Sequence, residues 1–276
     1  MVFQEESRTS WFWPLRRSLS GEKQSMKEKV EGNSERAFSI ADAMERGFAR
    51  ELVTDFVSPL RRSTRLWKFQ VERNEDRSEH RLYGDDGAFL MYAKSGTDQS
   101  VSFYPYDPEI DCDLFDVDRP AFTMVFDAAR VEWILLQMLP DTRQGSKSPP
   151  RQGRQQQQPG CEQELAHIRH RKETVGSGVS YVLEASLTST SSDDSPLELR
   201  TRKPAWNEDL GCLVLDFKGR KVLASAKNFQ LAPEGKQTHV ACQHGKIGRN
   251  TFGLDFRHPM TVIQAFAISM TTIAWS

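Results

Sequence analysis

Hydrophobic and polar positions are distributed unevenly along the chain, and the most uniform stretch is His258 to Ser276. Met260, Val262, Ile263, Ala265, Phe266, Ala267, Ile268, Met270, Ile273 and Trp275 fall on every side of a helical wheel. No Asp, Glu, Lys or Arg follows Arg257. Pro259 suits the first position of a helix, where its missing N–H is no loss. A helix with no water-facing stripe lies inside a protein or a membrane. This one is near the lower limit of about 17 residues for a span, and Gln264 with three Thr and two Ser makes it a poor span. The pattern therefore predicts a core helix, with a tail anchor as the alternative, and something must surround it.

The chain before it reads mostly as short strands. Apolar or alternating runs occur at Leu66–Val71, Arg81–Tyr83, Ala88–Ala93, Val101–Tyr106, Ala121–Asp127 and Tyr181–Leu187. Others follow at Cys212–Phe217, Val222–Ala226, Asn228–Leu231, Thr238–Gln243 and Thr251–Phe256. Val131–Leu139 fits either a strand or a helix. Short strands with Gly-containing turns predict an antiparallel sheet or barrel, and a closed barrel around the last helix satisfies both observations. Residues 34 to 57 carry apolar side chains at helical spacing up to Pro59. The polar first 33 residues contain one aromatic-basic motif, Trp11-Phe12-Trp13-Pro14-Leu15-Arg16-Arg17. It reads as a tail segment or as a short docking motif for a protein partner or membrane interface.

Composition adjusts this picture. At 38% hydrophobic over 276 residues, the chain fits one domain plus unfolded segments. The expected division is an N-terminal extension over 1–51 and a barrel domain over 52–276, interrupted by a low-complexity insertion at about 140–160. A net charge of −1 argues against a nucleic-acid partner. The charge is asymmetric: Asp107, Glu109, Asp111, Asp113, Asp116 and Asp118 crowd one stretch, whereas Arg200–Arg257 holds eleven Lys/Arg against five Asp/Glu. This predicts a basic face from the last third. Cys112, Cys161, Cys212 and Cys242 are widely spaced and no secretory leader is evident, which predicts free thiols in a reducing compartment.

Longer motifs then point to a family. Lys203-Pro204-Ala205-Trp206-Asn207-Glu208, Leu213-Val214-Leu215-Asp216-Phe217-Lys218-Gly219-Arg220 and Ala224-Ser225-Ala226-Lys227-Asn228-Phe229-Gln230-Leu231 resemble the C-terminal signature of tubby-like proteins. So do Gln243-His244-Gly245-Lys246-Ile247-Gly248, Phe252-Gly253-Leu254-Asp255-Phe256 and Gln264-Ala265-Phe266-Ala267-Ile268. A weaker likeness extends upstream through Gly87–Lys94 to about residue 52. The resemblance implies a mainly β fold with a central helix: a closed antiparallel barrel of about twelve strands around a hydrophobic C-terminal α-helix. It implies a non-enzymatic module with no cofactor, no catalytic residues and no metal. Its ligand would be the phosphatidylinositol 4,5-bisphosphate headgroup or another anionic phosphoinositide membrane. Location would be cytoplasmic and peripheral at the plasma membrane or in the cilium, and the role that of an adaptor in membrane-protein trafficking or membrane-tethered signalling.

The candidate lipid-binding residues are Lys94, Arg119, Lys203, Lys218, Arg220, Lys227 and Lys246. Converging Lys and Arg suit vicinal phosphates because guanidinium offers paired hydrogen bonds and each cation adds favourable charge. The chain departs from the family pattern where a Lys-x-Arg is expected. There it reads Leu114-Phe115-Asp116-Val117-Asp118-Arg119-Pro120, and the segment after Lys94 is Ser95-Gly96-Thr97-Asp98-Gln99. Aspartate in place of a cation repels phosphate, so the pocket is divergent. A protein-interaction adaptor whose barrel no longer binds lipid is the alternative. No F-box-like segment is evident, which argues against plant-type ubiquitin-ligase coupling. His167-x-x-His170 with Cys161 lacks a fourth zinc ligand, and an exposed basic helix is expected over that stretch. The acids at 107–118 lack the glycine and bidentate Glu of a calcium loop and read as a solvated loop.

Overall fold

A computed structural model describes residues 48–105, 120–138, 162–188, 195–217 and 220–275. The Trp11–Arg17 motif, the acidic 107–118 stretch, the 140–160 insertion, Arg119 and Lys218 lie outside the described residues.

The chain order begins with a helix, α1 (Phe48–Val57), and continues with β1 (Trp67–Arg73), β2 (Glu79–Gly84), β3 (Phe89–Ser95), β4 (Ser100–Tyr104), β5 (Phe122–Phe126) and β6 (Glu132–Met138). β7 (Glu162–Val175), β8 (Gly178–Leu187) and β9 (Leu197–Thr201) follow, then a small hairpin of β10 (Ala205–Asn207) and β11 (Cys212–Val214). β12 (Phe229–Pro233), β13 (Cys242–Lys246), β14 (Thr251–Phe256) and the helix α2 (Val262–Thr271) complete it, with a 3-10 turn at Thr272–Ala274. Twelve strands close a barrel in the order β1-β14-β13-β12-β9-β8-β7-β6-β5-β4-β3-β2. The strands pair antiparallel around the ring, and β1 closes it between β2 and β14.

Alternation sets the inner face. Leu82, Met91, Phe103, Phe122, Met124, Trp133, Leu135, Ile168, Leu183, Leu254 and Phe256 are fully buried. α2 fills the space they enclose, and all ten of its residues are buried. Each large apolar side chain moved from water adds about 1.5–3 kcal/mol. Phe103 meets Phe266 edge to face at 5.6 Å. The helix starts one turn later than Pro259 suggests. Its N-cap is Thr261, which forms a capping box with Gln264 and satisfies two otherwise orphaned donors. The Gln264 amide also donates to the Leu165 and Thr188 carbonyls, each at 3.0 Å, which pins the helix start to β7 and β8. The hydroxyls of Ser269, Thr271 and Thr272 each donate back to a carbonyl three residues earlier. The polar side chains of the helix end thus enter the core with their hydroxyls hydrogen-bonded. Among the described residues, no helix is long and apolar enough to cross a membrane.

Val131–Leu139, which fits either element in sequence, is strand β6. Several other expectations need correction. The stretch holding His167 and His170 is the long strand β7, not an exposed helix. Ile168 and His170 point inward and are buried, while Arg169 and Arg171 point out. Val222–Ala226 forms no strand. Instead Val222 packs on β13: a Cβ placed on Gly245 would lie 2.6 Å from Val222 Cγ1. The strand expected at Thr238–Gln243 runs over Cys242–Lys246. Trp206 is half-buried, outside the barrel, against the β7–β8 turn. A Cβ on Gly176, at φ +58°, would meet Trp206 Cγ at 2.8 Å.

Candidate functional site

The described candidate cations do not converge on one point. Lys94 is exposed on the outer face of β3, with Glu79 and Ser102 as its cross-strand neighbours. Among the described residues it makes no ion pair. Two residues earlier on the same face, Tyr92 joins an aromatic cluster with Phe89, Tyr104 and Tyr83, and the Arg81 guanidinium lies 5.5 Å over its ring. Burial, and then a hydrogen bond to Glu79, push the Tyr92 phenol well above its usual range. Lys203 is exposed beyond β9 and reaches Glu173 at 3.8 Å. Glu173 already holds Arg200 at 2.8 Å and Arg171 at 2.9 Å. Exposed pairs of this kind contribute about 0–1 kcal/mol each.

Arg220 serves the fold. The segment around it straps the outer face of β13 and β14. Gln230, Gln243 and Asp255 are successive cross-strand neighbours on β12, β13 and β14, and their side chains form a buried polar ladder. Gln230 Nε2 donates to Gln243 Oε1 at 3.2 Å, and Gln243 Nε2 to Asp255 Oδ2 at 2.8 Å. Arg220 closes the ladder: its Nε donates to both Asp255 oxygens at 2.9 and 3.0 Å, and its Nη2 to the Phe69 carbonyl at 3.1 Å. The guanidinium lies flat over Gly253, where an added Cβ would sit 2.7 Å from Arg220 Cδ, Nε and Cζ. We expect Gly253→Ala to destabilise the chain by about 1–3 kcal/mol through overpacking, read by thermal unfolding. In an Arg220→Ala background the same change should cost much less. An equal cost in both backgrounds would remove Arg220 as the cause.

Lys227 also faces inward. Its ammonium donates to the carbonyls of Thr272 and of Trp275, the latter at 2.6 Å. It therefore caps the negative end of the helix dipole. Burial, with Arg73 and Arg77 nearby, lowers it to about 8. Lys246 is half-buried, and its N–H donates to Asn228 Oδ1 at 2.8 Å, so it sits one residue from Lys227 in space through Asn228.

The end of the barrel at the helix C-terminus also gathers basic groups that the sequence reading did not single out. His244 is stacked between Phe229 at 5.3 Å and Phe252 at 5.0 Å, and its Nδ1 donates to the Lys227 carbonyl at 3.0 Å. Arg73 continues the stack, 5.3 Å over Phe252. His80 is buried beside them. On the other side Trp275 stacks on Tyr181 at 5.0 Å and donates its indole N–H to His170 Nδ1 at 2.6 Å. Burial lowers all three histidines, His80 to about 3 and His170 and His244 to about 4. In sequence this end showed as the family-like segments holding His244 and Phe252, which fall on the same face as Leu254, and as His170 in the His167-x-x-His170 spacing. Among the described residues no cluster of His, Cys, Asp and Glu could hold a metal. Cys212 and Cys242 are free thiols.

The sequence model of the Tub family matches residues 130–274, more than half of the chain. The chain belongs to the Tub family. Its matched stretch runs from β6 through α2 and contains the polar ladder, the Lys227 cap and the filled barrel axis. The Tub barrel is completed by β1–β5, which precede the match. Among similar proteins, Tubby-like F-box protein 5 of Oryza sativa subsp. japonica is 39% identical over 116 residues, covering 36% of this chain and 27% of that protein. Tubby-like F-box protein 2 of Arabidopsis thaliana is 43% identical over 88 residues, 29% of this chain and 22% of that protein. Tubby-related protein 1 of Mus musculus is 39% identical over 79 residues, 29% of this chain and 14% of that protein. The alignments thus span well under a third of each relative's length.

Proposed function

We propose that this Tub-family chain is a non-enzymatic module that docks on anionic phosphoinositide membranes, with phosphatidylinositol 4,5-bisphosphate as the leading headgroup. Membership of the Tub family is the observation that carries the reading. Lys94 adds to it as an exposed cation on β3 with no ion-pair partner among the described residues. Lys203 and Lys246 offer further charge, with Arg119 and Lys218 as contributors from outside the described residues. Arg220 and Lys227 are committed to Asp255 and to the helix end, so their share in headgroup binding is indirect: they hold the barrel that presents the others. Docking would place the protein in the cytoplasm, peripheral at the plasma or ciliary membrane, as an adaptor in membrane-protein trafficking or membrane-tethered signalling.

Each juxtamembrane cation adds about 1 kcal/mol near an anionic leaflet. Co-sedimentation of the full chain with vesicles of phosphatidylinositol 4,5-bisphosphate, other phosphoinositides or phosphatidylserine, at equal surface charge, tests the reading. We expect selective binding that Lys94→Ala weakens roughly fivefold, in keeping with the loss of one such charge. Binding that tracks charge alone and fades with salt would reduce the surface to a general basic face. No binding would overturn the lipid reading in favour of a protein adaptor working through the N-terminal segment.

A further inference from the structure

Arg73, His80, Lys227 and His244 line one small cleft at the C-terminal end of α2, walled by apolar side chains that include Phe252 and Met270. Among the described residues no carboxylate lines it. It has room for about one body the size of a water or a halide. Two buried nitrogens there lack a partner among the described residues: Arg73 Nε, and His80 Nδ1, which donates in the Nδ1–H tautomer. His80 is only 5% exposed. The Nε–H of arginine can only donate, and leaving a buried donor unmet is unfavourable.

The charges are unbalanced in the same direction. Arg73 is held below its usual range by burial and by Arg77, and Lys227 by burial and by both arginines. Glu75 is the acid that acts on Arg73 in the opposite sense, but its carboxylate pairs with Arg249 at 3.1 Å. The negative end of the helix does not repel an anion from the cleft, because the Lys227 ammonium covers the Thr272 and Trp275 carbonyls. Asn250 Oδ1 takes one Arg73 Nη2 proton at 3.1 Å, and Nε–H is left without a partner among the described residues. Buried cations are ordinarily paired. Among the described residues no carboxylate lining the cleft supplies that counter-charge.

We propose that the cleft binds a monatomic inorganic anion, chloride under cellular conditions, through the Arg73 Nε–H and the Nδ1–H tautomer of His80. The anion balances Arg73 and Lys227 and ties β1 and β2 to the end of the central helix. A phosphate is too large for the space, so this site is separate from the headgroup reading and stands or falls independently of it. A water would satisfy the two donors but leave both cations unbalanced.

The test uses the full chain at neutral pH. Chlorine NMR of a chloride solution should show excess line broadening that saturates with protein and is displaced by bromide. Affinity should weaken roughly tenfold or more in Arg73→Gln, the loss of one charge-assisted hydrogen bond. Crystals of the unaltered protein grown in bromide should show an anomalous peak within hydrogen-bonding distance of Arg73 Nε and His80 Nδ1. A water in that position in the bromide crystals, or broadening unchanged by Arg73→Gln, would overturn the proposal. The crystals decide the matter even where the variant fails to fold.

Discussion

We expect acidification of the full chain from neutral pH to unfold the barrel between about pH 4 and 5. The cause is the three inward histidines, His80 at about 3 and His170 and His244 at about 4. Each is depressed in the folded chain, chiefly by burial, and returns to about 6.5 when unfolded. Their stabilisation is therefore complete above about 6.5 and is lost as the pH falls toward the folded values. Across that window the unfolded chain binds up to three protons that the native barrel refuses. Each proton contributes about 1.4 kcal/mol per pH unit, so stability falls by about 4 kcal/mol per unit. A domain at the lower end of the usual range, stable by about 5–8 kcal/mol, loses that margin within about two units. Tryptophan fluorescence against pH reads the transition, since Trp133 and Trp275 are buried. Replacing His244 by Gln should lower the slope by about a third. A midpoint below about pH 3.5 would mean that these imidazoles are not withheld from solvent.

The second large effect is expected from Asp255→Ala. Asp255 is 2% exposed and receives Arg220 through two nitrogens and Gln243 through a third. Removing the carboxylate leaves a half-buried guanidinium over Gly253 with only the Phe69 carbonyl, and leaves the Gln243 amide unmet. Breaking one side of a buried pair costs about 3–5 kcal/mol. Urea unfolding should show that loss as a shift in midpoint at constant slope. The double variant Asp255→Leu with Arg220→Met should recover most of it, because replacing a whole buried pair by apolar groups is often close to neutral. If the double variant is as unstable as Asp255→Ala, the ladder holds the strap for reasons other than charge.

The central helix was the most legible part of the sequence. A run without charge and without a polar stripe has no stable place on a surface, and the hydroxyls that complicate it are absorbed by its own carbonyls. Its start was misplaced because Pro259 is a strong local signal, while the capping box of Thr261 and Gln264 depends on β7 and β8 being there to hold the Gln264 amide. β7 was hidden for a related reason. In His167-Ile168-Arg169-His170-Arg171 the alternation is present, but an inward histidine reads as polar until Trp275 supplies its hydrogen bond. β13 was shifted because Gln243, on its outer face, is covered by the strap and looks like a solvent residue in sequence. Val222 looks like a strand residue and belongs to that covering strap. The candidate cations were legible as basic residues only. Whether a lysine caps a helix, as Lys227 does, or stands free on a strand, as Lys94 does, depends on what the closed barrel brings to it.

Chain order adds a constraint on synthesis. Every barrel strand leaves the ribosome before the helix that fills them, and elongation proceeds at about 5–20 residues per second. Until Val262–Thr271 emerges, the inward faces of the twelve barrel strands have no partner along the barrel axis, so the nascent chain carries an unfilled ring of Phe, Leu and Met for seconds. Interruption between β14 and that helix releases twelve strands with no centre, a natural client for a chaperone.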